Sequence, residues 1–97
     1  MSFRRAAKVD VNQPAIVAAF RRLGWSVLII SQLKKCCDIF VSKAGVTIAV
    51  EIKDGEKPPS ARKLSEGEQE FKDNWQGQWE LVESVDDVIK LNELISN

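Results

Sequence analysis

Residues 36–53, CCDIFVSKAGVTIAVEIK, decide the fold. Two runs of strand-forming residues, Ile39 to Val41 and Val46 to Ile52, flank a turn signal at Lys43-Ala44-Gly45, which is the pattern of a β-hairpin. With Ala44 and Gly45 as a two-residue turn, Lys43 faces Val46, and counting outward sets Asp38 opposite Glu51. Lys53 follows Glu51 by two positions and so emerges on the same face, while Val50 and Ile52 take the other. An Asp, a Glu and a Lys at the end of an apolar hairpin are costly to bury unless they compensate one another or bind something. A divalent cation and a phosphate fit that arrangement.

On the N-terminal side, Trp25 to Ile30 (WSVLII) predicts a buried first strand. Before it, Asp10, Asn12, Gln13 and Pro14 form a helix start; Ile16, Val17, Phe20 and Leu23 recur at helical spacing, and Gly24 ends the run. On the C-terminal side, Asp54 to Lys63 (DGEKPPSARK) is a loop, since Pro58 and Pro59 cannot continue a strand. Ser65-Glu-Gly-Glu68 matches a capping box opening a helix that carries Gln69, Phe71 and Trp75. Trp79 to Val82 reads as a fourth strand, and Ser84, Asp86 and Asp87 start a last helix with Val85, Val88, Ile89, Leu91 and Ile95 available for packing. The order is αβββαβα. It predicts an α/β fold with a four-stranded mixed sheet flanked by helices: an antiparallel meander of three strands, then a crossover to a fourth strand parallel to the third.

At 97 residues with 44% hydrophobic content, residues 1–97 form a single domain. No apolar run of about twenty residues exists to cross a membrane, and the opening MSFRRAAKVD has no hydrophobic stretch, so the expected location is cytoplasmic. Histidine is absent, which excludes Ser-His and Cys-His catalysis and histidine-bound metal; a metal here needs oxygen ligands. Adjacent Cys36 and Cys37 are expected to be reduced thiols. Net charge is zero but divided: residues 1–65 hold 12 Lys/Arg against 5 Asp/Glu, and residues 66–97 hold 2 against 9. The basic half accompanies the carboxylate hairpin, where a phosphate backbone needs it. Solvated surface charge is the alternative use of those residues. Trp25, Trp75 and Trp79 fall within apolar patterns and are expected in the core rather than as base-stacking platforms.

With Asp38…Glu51-Ile52-Lys53 placed on a hairpin within this element order, the chain resembles the PD-(D/E)XK nucleases, and within them the small stand-alone VRR-NUC domains of phages and bacteria. The best matching stretches are CDIFV, VEIKDGEKPPSARKLSEGEQEF and KVDVNQPAIV, so the resemblance covers nearly the whole chain. It implies a restriction-endonuclease-like core and metal-dependent hydrolysis of DNA. Asp38, Glu51 and the Ile52 backbone carbonyl would hold Mg²⁺ or Mn²⁺, with Lys53 on the scissile phosphate or attacking water and Gln13 and Gln69 in support. Arg4, Arg5, Lys8, Lys34, Lys35, Lys57, Arg62 and Lys63 would contact DNA backbone. Branched DNA such as a Holliday junction is the implied substrate, a homodimer the implied assembly, and a bacterial or phage-infected cell the implied setting. Two positions depart from the family pattern: Cys36-Cys37 precede the aspartate in place of glycine and proline, and Gln13 stands where many members have a glutamate. Two rival readings remain, a DNA-binding module without catalysis and a protein-interaction domain with opposed charged faces.

Overall fold

A computed structural model describes residues 9–96. The elements are α1 (Gln13–Arg22), β1 (Ser26–Ile29), β2 (Ile39–Lys43), β3 (Val46–Ile52), a short 3-10 turn (Pro59–Arg62), α2 (Glu66–Asn74), β4 (Gln78–Val82) and α3 (Val85–Ser96). They build one four-stranded mixed sheet in the order β1-β2-β3-β4, with β1 to β3 antiparallel and β4 parallel to β3.

The hairpin register is set by its turn. Ala44 (φ 54°) and Gly45 (φ 82°) both lie in the left-handed region, as a two-residue type I′ turn requires, and Lys43 pairs with Val46. Ala44 accepts a conformation that costs a non-glycine residue about 1–2 kcal/mol. The pairing runs to Ile39 opposite Val50, and Asp38 extends it through its amide, which donates to the Val50 carbonyl at 3.1 Å.

Strand alternation divides the residues between two faces. Ile39 and Val41 of β2, Ile48, Val50 and Ile52 of β3 and Val82 of β4 join Ile16, Val17 and Phe20 of α1, Val88 and Leu91 of α3, and Trp25 in one buried cluster. Both terminal helices therefore cover one face. Trp25 packs edge-on against Phe20 and donates its indole N–H to Asn92 Oδ1 at 3.0 Å. The same oxygen accepts from Lys43 Nζ at 2.9 Å, and that ammonium also reaches the Leu23 carbonyl at the end of α1 at 2.7 Å. Among the described residues the opposite face is covered by α2, none of whose residues is buried. Its start carries the expected capping box: Ser65 Oγ accepts from the Glu68 amide and Glu68 Oε1 accepts from the Ser65 amide.

Two expectations are corrected. β1 is an edge strand whose Leu28 and Ile29 stand 60% and 45% exposed, because among the described residues it has no sheet neighbour beyond it. Asn12 does not cap α1 with its side chain; its Nδ2 donates to the Lys53 and Glu83 carbonyls instead, tying the helix start to the ends of β3 and β4. On α3, Val85 and Ile89 face outward and Val88 and Leu91 do the packing. Among the described residues no helix is long and apolar enough to cross a membrane.

A core confined to one face gives an asymmetric response to substitution. Ile48→Ala, at a fully buried position, should cost about 2–5 kcal/mol, whereas Leu28→Ser on the exposed edge should stay within about 0.5 kcal/mol of wild type. Urea unfolding at constant pH measures both, and equal losses would contradict the one-sided core.

Candidate active site

The sheet face turned away from α1 and α3 carries Asp38, Glu51 and Lys53. Asp38 is held from three sides: its amide by Val50, its carbonyl by the Ile30 amide at 2.9 Å, and its carboxylate Oδ2 by the Ile52 amide at 2.8 Å. The side chain thus reaches across the hairpin and fastens to the strand segment that carries Glu51. Glu51 is 3% exposed, with the carboxyl groups of Asp38 and Glu68 as its acidic neighbours. Burial first, and then the hydrogen bond to and charge of Asp38 and the nearby Glu68, push its carboxyl well above the usual carboxylate range. The shift favours the protonated form of this glutamate.

Lys53 points toward α2. Its ammonium meets Glu68 Oε1 at 2.7 Å, with only 14% and 25% of the two side chains exposed. Burial alone would lower the lysine, but the hydrogen bond and charge of Glu68, followed by the charges of Glu51 and Asp10, leave it raised. Glu68 shows the mirror image: burial would raise it, and Lys53 together with the Ser65 amide brings it below its ordinary value. One Glu68 oxygen accordingly closes the capping box and anchors the lysine. As a sequence feature this residue signalled only a helix start, since a box glutamate faces its own amide wherever the helix lies.

Gln13 is 5% exposed, and its Nε2 donates to Ser31 Oγ at 2.8 Å, which in turn donates to the Asp38 carbonyl at 3.3 Å. It supports the backbone of Asp38 from α1, and its Oε1 is buried without a hydrogen-bond partner among the described residues. Gln69 is not brought to the cluster; it points to the exposed side of α2 and donates to Asp73 Oδ1 at 2.8 Å. Nor do the basic residues gather at one place. Lys57 pairs with Asp10 at 3.8 Å and Lys35 with Glu70 at 3.8 Å. Arg62 is a clamp, with Nε on the Lys57 carbonyl at 2.7 Å and Nη1 on Glu83 Oε2 at 3.0 Å, fixing the loop after β3 to the β4–α3 junction. Lys34 and Lys63 are exposed. Arg4, Arg5 and Lys8 lie outside the described residues.

Cys36 and Cys37 are free thiols. Burial, with smaller effects from Cys36 and Glu51, pushes the Cys37 thiol up to about 12, and its Sγ donates to the Ile39 carbonyl at 3.3 Å. It is a packing residue beside the carboxylates, not a nucleophile. Among the described residues no group of three or more Asp, Glu, Cys or His side chains converges as a metal centre. What the site offers is two adjoining carboxylates, Asp38 and Glu51, with Glu68 behind them committed to Lys53. Comparison with protein-family models, curated proteins and solved structures returned no match.

The buried proton on Glu51 sets a pH dependence. The folded chain keeps it above the ordinary value of about 4.5, where the unfolded chain releases it, so between those limits the folded state binds more protons and stability falls as pH rises. Lys53, raised, and Glu68, lowered, are both charged across that window and do not oppose the fall. In EDTA the melting temperature should drop from about pH 5 to about pH 8, and Glu51→Gln should remove that Glu51-dependent part of the slope. A Glu51→Gln profile parallel to wild type would contradict the assignment.

Proposed function

We propose that the chain is a metal-dependent DNA endonuclease with a restriction-endonuclease-like core, as its resemblance to the VRR-NUC domains implies. The observation that carries this reading is the buried Glu51 carboxyl set against Asp38, with the Lys53 ammonium on the same sheet face. A pair of carboxyls so placed is unfavourable as two anions and becomes favourable when a cation joins it. A non-catalytic DNA-binding module has no use for a buried Glu51.

The donor set fits a hard divalent cation: oxygen only, two acidic groups, and no histidine in the chain. Asp38 and Glu51, with the Ile52 carbonyl, would hold Mg²⁺ or Mn²⁺, which when bound supplies a water of lowered pKa and neutralises phosphoryl charge. The Asp38 bond to the Ile52 amide keeps one carboxylate oxygen fixed and orients the other. Lys53 binds the scissile phosphate and stabilises the charge that develops on it, exchanging Glu68 for the phosphate as substrate enters. Gln13, through Ser31, keeps Asp38 in register. Gln69 has no contact with the cluster and takes no part.

A chain this small offers one active site, and cutting both strands of a branched duplex calls for two copies, for which a two-fold homodimer is the commonest solution. Four-way junctions are the preferred substrate on this reading. Sedimentation at micromolar concentration, with cleavage of matched junction and linear duplex, tests both parts.

Nicking of plasmid DNA should require Mg²⁺ or Mn²⁺ and cease in EDTA, with Ca²⁺ supporting binding but little turnover. Glu51→Gln and Lys53→Ala should each lower cleavage by about 100-fold or more with folding retained; Gln13→Ala should do less harm. Undiminished cutting in EDTA, or variants within a few-fold of wild type, would sink the nuclease reading.

A further inference from the structure

α2 presents a stripe to the uncovered sheet face: Glu68, Phe71 and Trp75, spaced three and then four residues apart and so on one side of the helix. Glu68 reaches the acidic cluster. Further along, the Phe71 and Trp75 rings stack at 5.3 Å with planes 21° apart, and Trp75 leans on Phe40 at 5.5 Å. Phe40 sits two residues from Asp38 on β2 and therefore shares its face. Trp75, unlike Trp25, is not core: it is 37% exposed against 3%.

The ring is nonetheless held. Its Nε1 donates to the Gln78 carbonyl at 3.1 Å, and it folds over Gly77 so closely that a Cβ there would lie 2.9 Å from that nitrogen. Beside the rings is an open cavity of about 280 Å³ lined by Lys35, Glu70, Phe71, Asn74 and Trp75. Lys35 is held over α2 by a left-handed backbone (φ 55°) and by the missing side chain of Gly67, where a Cβ would come within 3.2 Å of the lysine Cγ. Strain of that kind persists where a side chain must be presented in one place. The Lys35 side chain is 71% exposed and its ammonium only loosely paired with Glu70, at 3.8 Å.

We propose that this cavity is a subsite for one unpaired nucleobase of the bound strand, stacked on Trp75 and Phe71 with its phosphate on Lys35. The proposal rests on the nuclease reading for its strand and goes beyond it in substrate form. A base within a duplex has both faces covered by neighbours, so an exposed aromatic pair beside a cation selects a base that has left the stack. The cavity is too small for a peptide helix and large enough for one planar ring system. Seven residues along α2 separate Glu68 from Trp75, about 10 Å, which one short stretch of strand can span. The enzyme therefore cuts close to a point where pairing is interrupted. A ring fixed before binding loses little freedom on stacking, which favours affinity.

The test is binding of fluorescein-labelled oligothymidylate against blunt duplex of equal length, by anisotropy in EDTA, so that it is independent of cleavage. Wild type should prefer the single strand, and binding should quench tryptophan emission. Trp75→Leu should weaken oligothymidylate binding by about tenfold or more and leave duplex binding unchanged; Trp75→Phe should abolish most of the quenching yet retain most of the affinity. Gly77→Ala, which displaces the indole while leaving Trp75 and Phe71 themselves unsubstituted, should reproduce the Trp75→Leu loss, with melting curves confirming that the variants fold. Equal binding of oligothymidylate by wild type, Trp75→Leu and Gly77→Ala would overturn the subsite, as would dissociation of a dimer by Trp75→Leu, which would assign the aromatic face to a second copy. Failure of the nuclease reading would show separately, as absent cleavage in Mn²⁺ with this binding pattern intact.

Discussion

The two-residue turn at Ala44-Gly45 is the constraint on which the rest of the molecule depends. Both residues take positive φ, which locks Lys43 to Val46, and a strand has a period of two, so that single pairing assigns every later residue to a face. A slip by one position would send Ile48, Val50 and Ile52 out of the core and bring Glu51 into it. The same register ends at Ile39 and Val50 and leaves Asp38 and Glu51, the next residue on each strand, on the opposite face from the core. Core and candidate site are therefore two sides of one decision, and the apolar side supplies the free energy that holds the charged side in place.

That charged side is organised by unequal neutralisation. Lys53 has a full partner in Glu68 at 2.7 Å, whereas Glu51 has burial and a second carboxyl against it. The result is a carboxyl pushed toward its protonated form beside a closed ion pair, not three independent charges. Removing one partner from such a group leaves another uncompensated in a poorly solvated place, which is why each member matters beyond its own contact. On the proposed reading, a divalent cation held by Asp38 and Glu51 would reverse the balance, since it would favour the ionised form that burial opposes. Gln13 and Ser31 buttress the backbone of Asp38 without adding charge.

The two faces of the sheet are covered very differently. α1 and α3 close one face over a cluster of fully buried residues, while α2 lies over the other with no buried residue of its own. An incompletely covered face that carries both the acidic cluster and a fixed aromatic pair is suited to an extended ligand lying along it. The acidic residues of the C-terminal third find local uses: Glu83 takes Arg62, Asp87 accepts from the Glu83 amide, and Glu70 meets Lys35. The division of charge along the chain is thus partly resolved into ion pairs across the fold.

Read alone, the sequence determined what depends on near neighbours. Strand alternation, the turn pair and the capping box at Ser65 and Glu68 yielded the element order, the mixed four-stranded sheet, the opposition of Asp38 and Glu51 and the burial of Trp25. Tertiary structure decided what depends on the orientation of one element against another. Successive residues of a helix differ by about 100° around its axis, so whether Glu68 or Gln69 reaches Lys53 rests on how Phe71 and Trp75 seat α2 against Phe40. The seating selects Glu68 and turns Gln69 toward Asp73. Likewise WSVLII carries the composition of a buried strand, but exposure is a property of position in the sheet, and the outermost strand keeps Leu28 and Ile29 at the surface. Asn12, a capping residue by its chemistry, binds the Lys53 and Glu83 carbonyls because the fold brings those acceptors to the start of α1.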